Sequence, residues 1–242
     1  MSLYLYCVGD ELDEAALAGV RGLGDEPARL FAHAGLAAVV SRFDEAPAPV
    51  TREHVLAHNR VNSKVLAAVT PLPSRFGALA AEERLAAYLG GRGAELRAAL
   101  ARVRGAVEMS VKLMWAAPEV TPAGPPPPAG GAATGTAFLL ARRRALLGEE
   151  DARRRAEELA AWLDARTSDL ARESEARVRP AESLVVRAAH LVARDRVAEY
   201  RERLRALRAE RADLRFLTSG PWPPYGFTGE QKVSEGGRRI AD

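Results

Sequence analysis

The chain reads as an α+β protein of two domains, and three observations carry that reading. Short β-prone runs stand at residues 2–8, 107–115, 184–192 and 214–218, and segments with apolar residues at helical spacing lie among them. A proline- and glycine-rich stretch, 118–135 with its run Pro125 to Pro128, divides the 242 residues near their middle. The expected boundaries are 1–117 for an N-terminal ferredoxin-like α+β sandwich, 118–135 for a linker, and 136–227 for a C-terminal α+β unit. That unit is expected to carry a long projecting helix or coiled-coil hairpin, with 228–242 as a tail.

Each element has a local cause. Ser2 to Val8 is β-branched and aromatic enough for a well-covered first strand, and a second follows at Leu36 to Val40, with a short helix or loop between them. Thr51 is a fair N-cap for a helix on which Val61, Val65, Ala68 and Val69 share a face, and the helix ends near Thr70 because Pro71 follows. Pro71 and Pro73 frame an edge segment that ends in Arg75-Phe76-Gly77. Leu85, Tyr88, Leu89, Leu96, Leu100 and Val103 form the next apolar stripe, bent or split at Gly90, Gly91 and Gly93.

From Val107 to Trp115 the residues alternate, which puts Val107, Met109, Val111, Leu113 and Trp115 on a covered face and Glu108, Ser110 and Lys112 on the other. Trp115 is expected in the core. Beyond the linker, Phe138 to about Glu175 lacks proline, and Phe138, Ala145, Ala152 and Leu159 recur at seven. That pattern predicts a rod of roughly 55 Å. A strand at Leu184 to Val192, a helix capped by Asp195 with Val197, Tyr200, Leu204 and Leu207 on one side, and a last strand at Leu214 to Thr218 complete the order.

Composition narrows the class. Hydrophobic residues at 48% and charged residues at 28% belong to a chain that buries a core, and the net charge of +3 is modest. No early run has the basic-then-apolar form of a signal peptide and none reaches spanning length, so the expected location is cytoplasmic, with no lipid membrane as partner. The single cysteine, Cys7, sits in an apolar strand and reads as a small buried hydrophobe.

The reactive residue types do not assemble into a recognised motif. His54 and His58 stand four apart on a helix, yet the glutamate of a metalloprotease helix is missing, so no metal site is expected. His190 falls on a strand face with Val186 and Ala188, as a satisfied core histidine would. His33 completes the set, and the glycines of 19–24 lack the strand-to-helix setting of a dinucleotide site. No catalytic residue and no cofactor is therefore expected. Arg142 to Arg144 and Arg153 to Arg155 alternate with Glu149, Glu150, Asp151, Glu157 and Glu158, which is a solvated ion-paired helix rather than a phosphate-tracking stripe. No nucleic acid is expected as partner.

What is left is an interaction protein with a distinctive ending. Gly220-Pro221-Trp222-Pro223-Pro224-Tyr225-Gly226-Phe227 holds three prolines and three aromatics, so its backbone is extended and its rings need cover, on this chain or on a partner. A fold-back in which Trp222 and Tyr225 clamp the tail across the two domains or onto the long helix is the expected arrangement, with Pro221, Trp222, Pro223, Pro224 and Tyr225 as a structural motif.

Several stretches together resemble the gas vesicle protein F/L family. They are the opening strand Leu3 to Val8, the helix from His58 to Val69 running into Thr70-Pro71-Leu72-Pro73 and Arg75-Phe76-Gly77, Gly105-Ala106-Val107-Glu108-Met109 through Lys112, Gly135-Thr136-Ala137-Phe138-Leu139-Leu140, and Leu217 to Phe227. Gly226 stands where the family more often has serine. The resemblance implies a non-enzymatic accessory or minor structural protein that binds the hydrophobic vesicle wall protein, works with other gas vesicle accessory proteins and supports nucleation or assembly. Arg75, Phe76 and Gly77 are the expected partner-binding residues. A small ferredoxin-like haem or flavin enzyme is the alternative, and a nucleic-acid-binding regulator a more distant one.

Overall fold

The computed structural model describes residues 2–45, 47–115, 135–178 and 184–229, with side chains described outside 135–149 and 184–185. The chain divides into two compact units. The first takes Met1–Glu108, Leu191–Arg194 and the closing residues from Gly220, and the second takes Met109–His190 and Asp195–Ser219. Apart from Gly135, the expected linker 118–135 lies outside the described residues, as does the tail from residue 230.

In the first unit, β1 (Leu3–Gly9), β2 (Arg29–His33), β3 (Leu36–Arg42) and β4 (Leu72–Pro73) order as β2-β3-β1-β4, and β5 (Leu79–Ala80) also pairs with β1. These four pairings are antiparallel. Every residue of β1 is buried, as a central strand requires. The hairpin β2–β3 turns on Ala34 and Gly35, both at positive φ (52° and 73°), the two-residue geometry that matches strand twist. β2 was not anticipated, because its partly exposed Arg-Leu-Phe-Ala-His has no clean alternation. Helix α1 (Arg52–Ala68) opens as expected, with the Thr51 hydroxyl accepting from His54 N–H at 3.1 Å, and lays Ala57, Val61 and Val65 into a core with Tyr4, Tyr6, Val39 and Phe43. The glycine cluster does split the next stripe, into α2 (Glu82–Gly91) and α3 (Gly93–Val103).

The ferredoxin-like order is found in the second half of the chain. There β6 (Ala106–Trp115), α4 (Gly135–Thr167), β7 (Ala171–Val178), β8 (Leu184–Ala193), α5 (Val197–Glu210) and β9 (Leu214–Trp222) follow one another as βαββαβ, with the strands ordered β7-β8-β6-β9. In the N-terminal half the connection from β1 to β2 holds only two short 3-10 turns, Glu14–Leu17 and Leu23–Asp25, where that topology needs a crossover helix. The α+β class stands; the placement of its ferredoxin-like part is corrected.

Four further expectations are revised. α4 stops at Thr167 rather than near Glu175, because Ala171 onward pairs as β7; Ala156, Leu159 and Leu163 are its buried row. Trp115 is 37% exposed, because it is the last residue of β6 and the strand's cover ends before it. Asp195 lies in the 3-10 turn that precedes α5 rather than at its cap. β9 continues through Pro221 to Trp222, which a missing backbone donor allows at the outer position β9 takes in its sheet.

Candidate functional site

Three of the family-like stretches named above, the opening strand, the helix with its Arg75-Phe76-Gly77 segment and the closing run, meet around one imidazole. His58 lies on the buried face of α1, 3% exposed, and both of its ring nitrogens are engaged. Tyr4 on β1 stands 3.0 Å from Nδ1, and Tyr225 stands 3.0 Å from Nε2. One turn along α1, Asn62 Nδ2 donates to the Tyr225 hydroxyl at 3.1 Å and to the His58 carbonyl at 3.3 Å. The Gly77 N–H donates to the Tyr4 oxygen at 3.0 Å.

The directions of the two tyrosine–imidazole bonds follow the His58 tautomer; Asn62 Nδ2, a donor, also lies 3.1 Å from Nε2, which suits Nε2 as an acceptor. The result is a hydrogen-bonded chain from the Gly77 backbone through Tyr4 and His58 to Tyr225. Burial drives the His58 pKa down from 6.5 to about 4 against a smaller opposing effect of the Ser74 backbone, so the ring is neutral near pH 7. Burial raises the Tyr4 and Tyr225 hydroxyls well above the ordinary phenol range, so both stay protonated. The site transmits orientation through neutral hydrogen bonds and holds no charged acid or base at its centre.

Rings close the cluster. Phe76 packs edge-on against Tyr4 and His58 with centroids at 6.0 and 5.8 Å, and Tyr4 lies 4.9 Å from Tyr6. Gly77 takes φ of 89°, a conformation closed to most side chains, and that turns its N–H onto Tyr4. Of the three expected partner-binding residues, Phe76 and Gly77 therefore serve this interior. Arg75 is exposed on the turn they hold.

The closing motif is fixed by the same unit. Beyond Tyr225, the Gly226 N–H donates to Glu108 Oε2 at 2.6 Å, Arg102 donates to the Phe227 carbonyl, and the Phe227 ring is 2% exposed. Glu108 was expected on the open face of β6 and is 8% exposed, because it takes this N–H. The fold-back differs from the expected clamp in address and in residue: it lies on α1, α3 and Glu108 of the first unit, Tyr225 and Phe227 anchor it, and Trp222 is 39% exposed. Trp222→Ala is accordingly expected to cost about 1 kcal/mol or less, against ~3–5 for a ring buried outright, as thermal unfolding will show.

Tyr225→Phe is the sharper substitution. It keeps the ring and removes the hydroxyl that bonds His58 Nε2 and accepts from Asn62 Nδ2, so a loss of about 1–3 kcal/mol is expected in urea titration. An unchanged midpoint would mean the hydroxyl is not the anchor.

The other histidines fall elsewhere. His54 Nδ1 contacts the Pro49 carbonyl at 2.9 Å and its ring meets Phe43, so it turns away from His58's partners. His190 is buried with Nδ1 2.5 Å from the Tyr200 hydroxyl, the satisfied core histidine its strand face predicted. Cys7 is fully buried, and burial raises its thiol far above the reactive range. Among the described residues no group of three or more His, Cys, Asp or Glu is placed to hold a metal, and no helix is long and apolar enough to cross a membrane.

The family model described as gas vesicle synthesis protein GvpL/GvpF matches residues 2–229. The chain belongs to the GvpL/GvpF family. Among its relatives, gas vesicle protein L of a Streptomyces strain is 30% identical over 257 residues, covering 96% of this chain and 95% of that protein. Gas vesicle protein F1 of Halobacterium salinarum is 26% identical over 231 residues, covering 93% and 92%. The fold is shared with the crystal structure of GvpF from Anabaena at a TM-score of 0.75 and 20% identity, covering 98% of this chain and 99% of that one. GvpF from Microcystis aeruginosa matches at 0.72 and 20% identity, covering 94% and 98%. Family membership makes this a gas vesicle-related protein.

Proposed function

We propose that the protein is a non-enzymatic accessory component of the gas vesicle that binds the hydrophobic wall protein and supports nucleation or assembly of the shell alongside other accessory proteins. Its place is the cytoplasm, at the vesicle. The observation that carries this reading is the use to which the family's own motifs are put. Tyr4, His58, Gly77 and Tyr225 form a neutral internal network that holds the closing segment, and they leave Arg75 presented on a braced turn. Residues that build a rigid surface suit a protein whose task is contact.

The wall protein's apolar surface needs cover until it enters the shell, and the first unit supplies an ordered face for it. Strand addition at the β4–β5 edge is the less favoured mode, because that edge is two-residue strands interrupted by Pro73. Contact through Arg75 and the turn around it fits better. The test is co-purification of wall protein with the tagged full-length chain. A fragment ending at residue 117 would lack Arg194, which donates to the Leu66 carbonyl at the end of α1, and the whole closing segment. Retention of wall protein is the expected result, with loss of vesicle nucleation when the gene is deleted; no retention would overturn the proposal.

A further inference from the structure

Arg52, Leu56, Arg60 and Lys64 follow one another at four-residue steps along α1, and all four are exposed, Leu56 to 52%. The row is roughly 18 Å long at ~1.5 Å per residue, and rows of this spacing are the ridges that fit the groove of a second helix. Beside it the exposed Ser63 and Ala67 are small, which lets a partner backbone come close. The three cations hold no carboxylate among the described residues.

Elsewhere in the unit Arg29, Arg42 and Arg75 likewise hold no carboxylate among the described residues, but they stand on separate elements, and only α1 sets three such cations along one helix. Arg21 pairs with Asp25, Arg92 with Glu95, and Arg104 with Asp10 and Glu11. Arg97 donates to the Ala34 carbonyl and Arg194 to that of Leu66. In the second unit Arg153 pairs with Glu157 and Arg205 with Glu202 along their own helices, and Arg166 with Glu210 and Arg203 with Asp169 between elements. On α1 the one acidic residue is Glu53, in the first turn.

We propose that this row is the docking face for an acidic amphipathic helix of a gas vesicle partner protein, with carboxylates set against Arg52, Arg60 and Lys64 and an apolar side chain against Leu56. The inference rests on the accessory role argued above and names a contact for it. Charge complementarity selects the occupant: three unpaired cations in line call for anions at helical spacing. The leucine within the row calls for an apolar neighbour, which a phosphate backbone does not offer.

The test uses the tagged full-length chain, co-expressed in turn with the wall protein and with each accessory vesicle protein. Arg60→Glu/Lys64→Glu is expected to lower retention of at least one of them about tenfold or more, with the unfolding midpoint unchanged. Leu56→Ala should weaken the same partner. If the charge reversal disturbs folding, Arg60→Gln/Lys64→Gln replaces it with the same expectation. Retention by the wild type that survives all these changes overturns the row and leaves the accessory role standing; a wild type that retains no vesicle protein removes both. Binding of duplex DNA or anionic lipid vesicles that depends on the row, with protein retention intact, would also overturn it.

Discussion

Phe227→Ala is expected to lower the unfolding free energy by about 3–5 kcal/mol, the usual range for deleting a buried aromatic ring. The ring is 2% exposed, and its removal leaves a cavity under a segment that cannot easily collapse into it. Pro223 and Pro224 limit the backbone on one side, and the Phe227 N–H is already committed to the Pro224 carbonyl at 3.0 Å. The neighbouring contacts depend on the same anchor, since Gly226 N–H on Glu108 and the Phe227 carbonyl on Arg102 persist only while the segment lies down. Urea unfolding of the full-length chain measures the loss, and Phe227→Leu, which refills most of the volume, should recover the greater part of it. A loss below ~1 kcal/mol for the alanine variant would show that the ring is not what holds the segment.

This expectation differs from the one the sequence supports by itself. Trp222 is the largest ring of the motif, and size alone makes it the natural anchor. Its position decides otherwise: Trp222 ends β9 at the outer strand of its sheet, while Phe227 follows the turn that Pro223 and Pro224 impose and points into the first unit. Trp115 misleads for the same reason, as alternation predicts its side but not that cover stops short of a strand's last residue. Local chemistry was legible where a single residue sets the outcome. Thr51 capping α1, the glycines splitting α2 from α3, and the fully covered β1 are cases of this.

Topology was harder to read. The βαββαβ order of the second half was obscured because 168–175 continues an arginine- and glutamate-rich composition after α4 has ended, so β7 carries no apolar alternation. In the candidate site, His58, Phe76, Gly77 and Tyr225 were each visible as motif residues, but not as one cluster. Tyr225 lies 167 positions from His58, and no spacing rule connects them. Asn62, one turn from His58, had a signal only in being a polar residue on an apolar helical face, and it was missed.

Acid is the second strong perturbation. His58 and His190 are both buried, and burial lowers each from 6.5 to about 4, opposed only in part by the Ser74 backbone for His58 and by Asp164 for His190. Above pH 6.5 both are neutral in the folded and unfolded chain, and their burial carries no penalty. Between 6.5 and about 4 the unfolded chain takes up protons that the folded chain refuses, so stability falls as pH drops through that window and levels off below it. At ~1.4 kcal/mol per pH unit, the loss is roughly 3 kcal/mol for each histidine by pH 4. The carboxylates of Asp169 and Asp213, held low chiefly by Arg203 and Arg211, release their own contributions at more acid pH and do not account for a decline that begins near 6.5. Urea midpoints measured from pH 7.5 to 4 should slope downward over that interval, and His58→Gln should be less stable at pH 7.5 yet show a shallower slope. A wild-type profile flat from 6.5 to 4.5 would mean that the imidazoles are protonated in place, and the neutral relay from Gly77 through Tyr4 to Tyr225 would then have to be redrawn with both His58 nitrogens as donors.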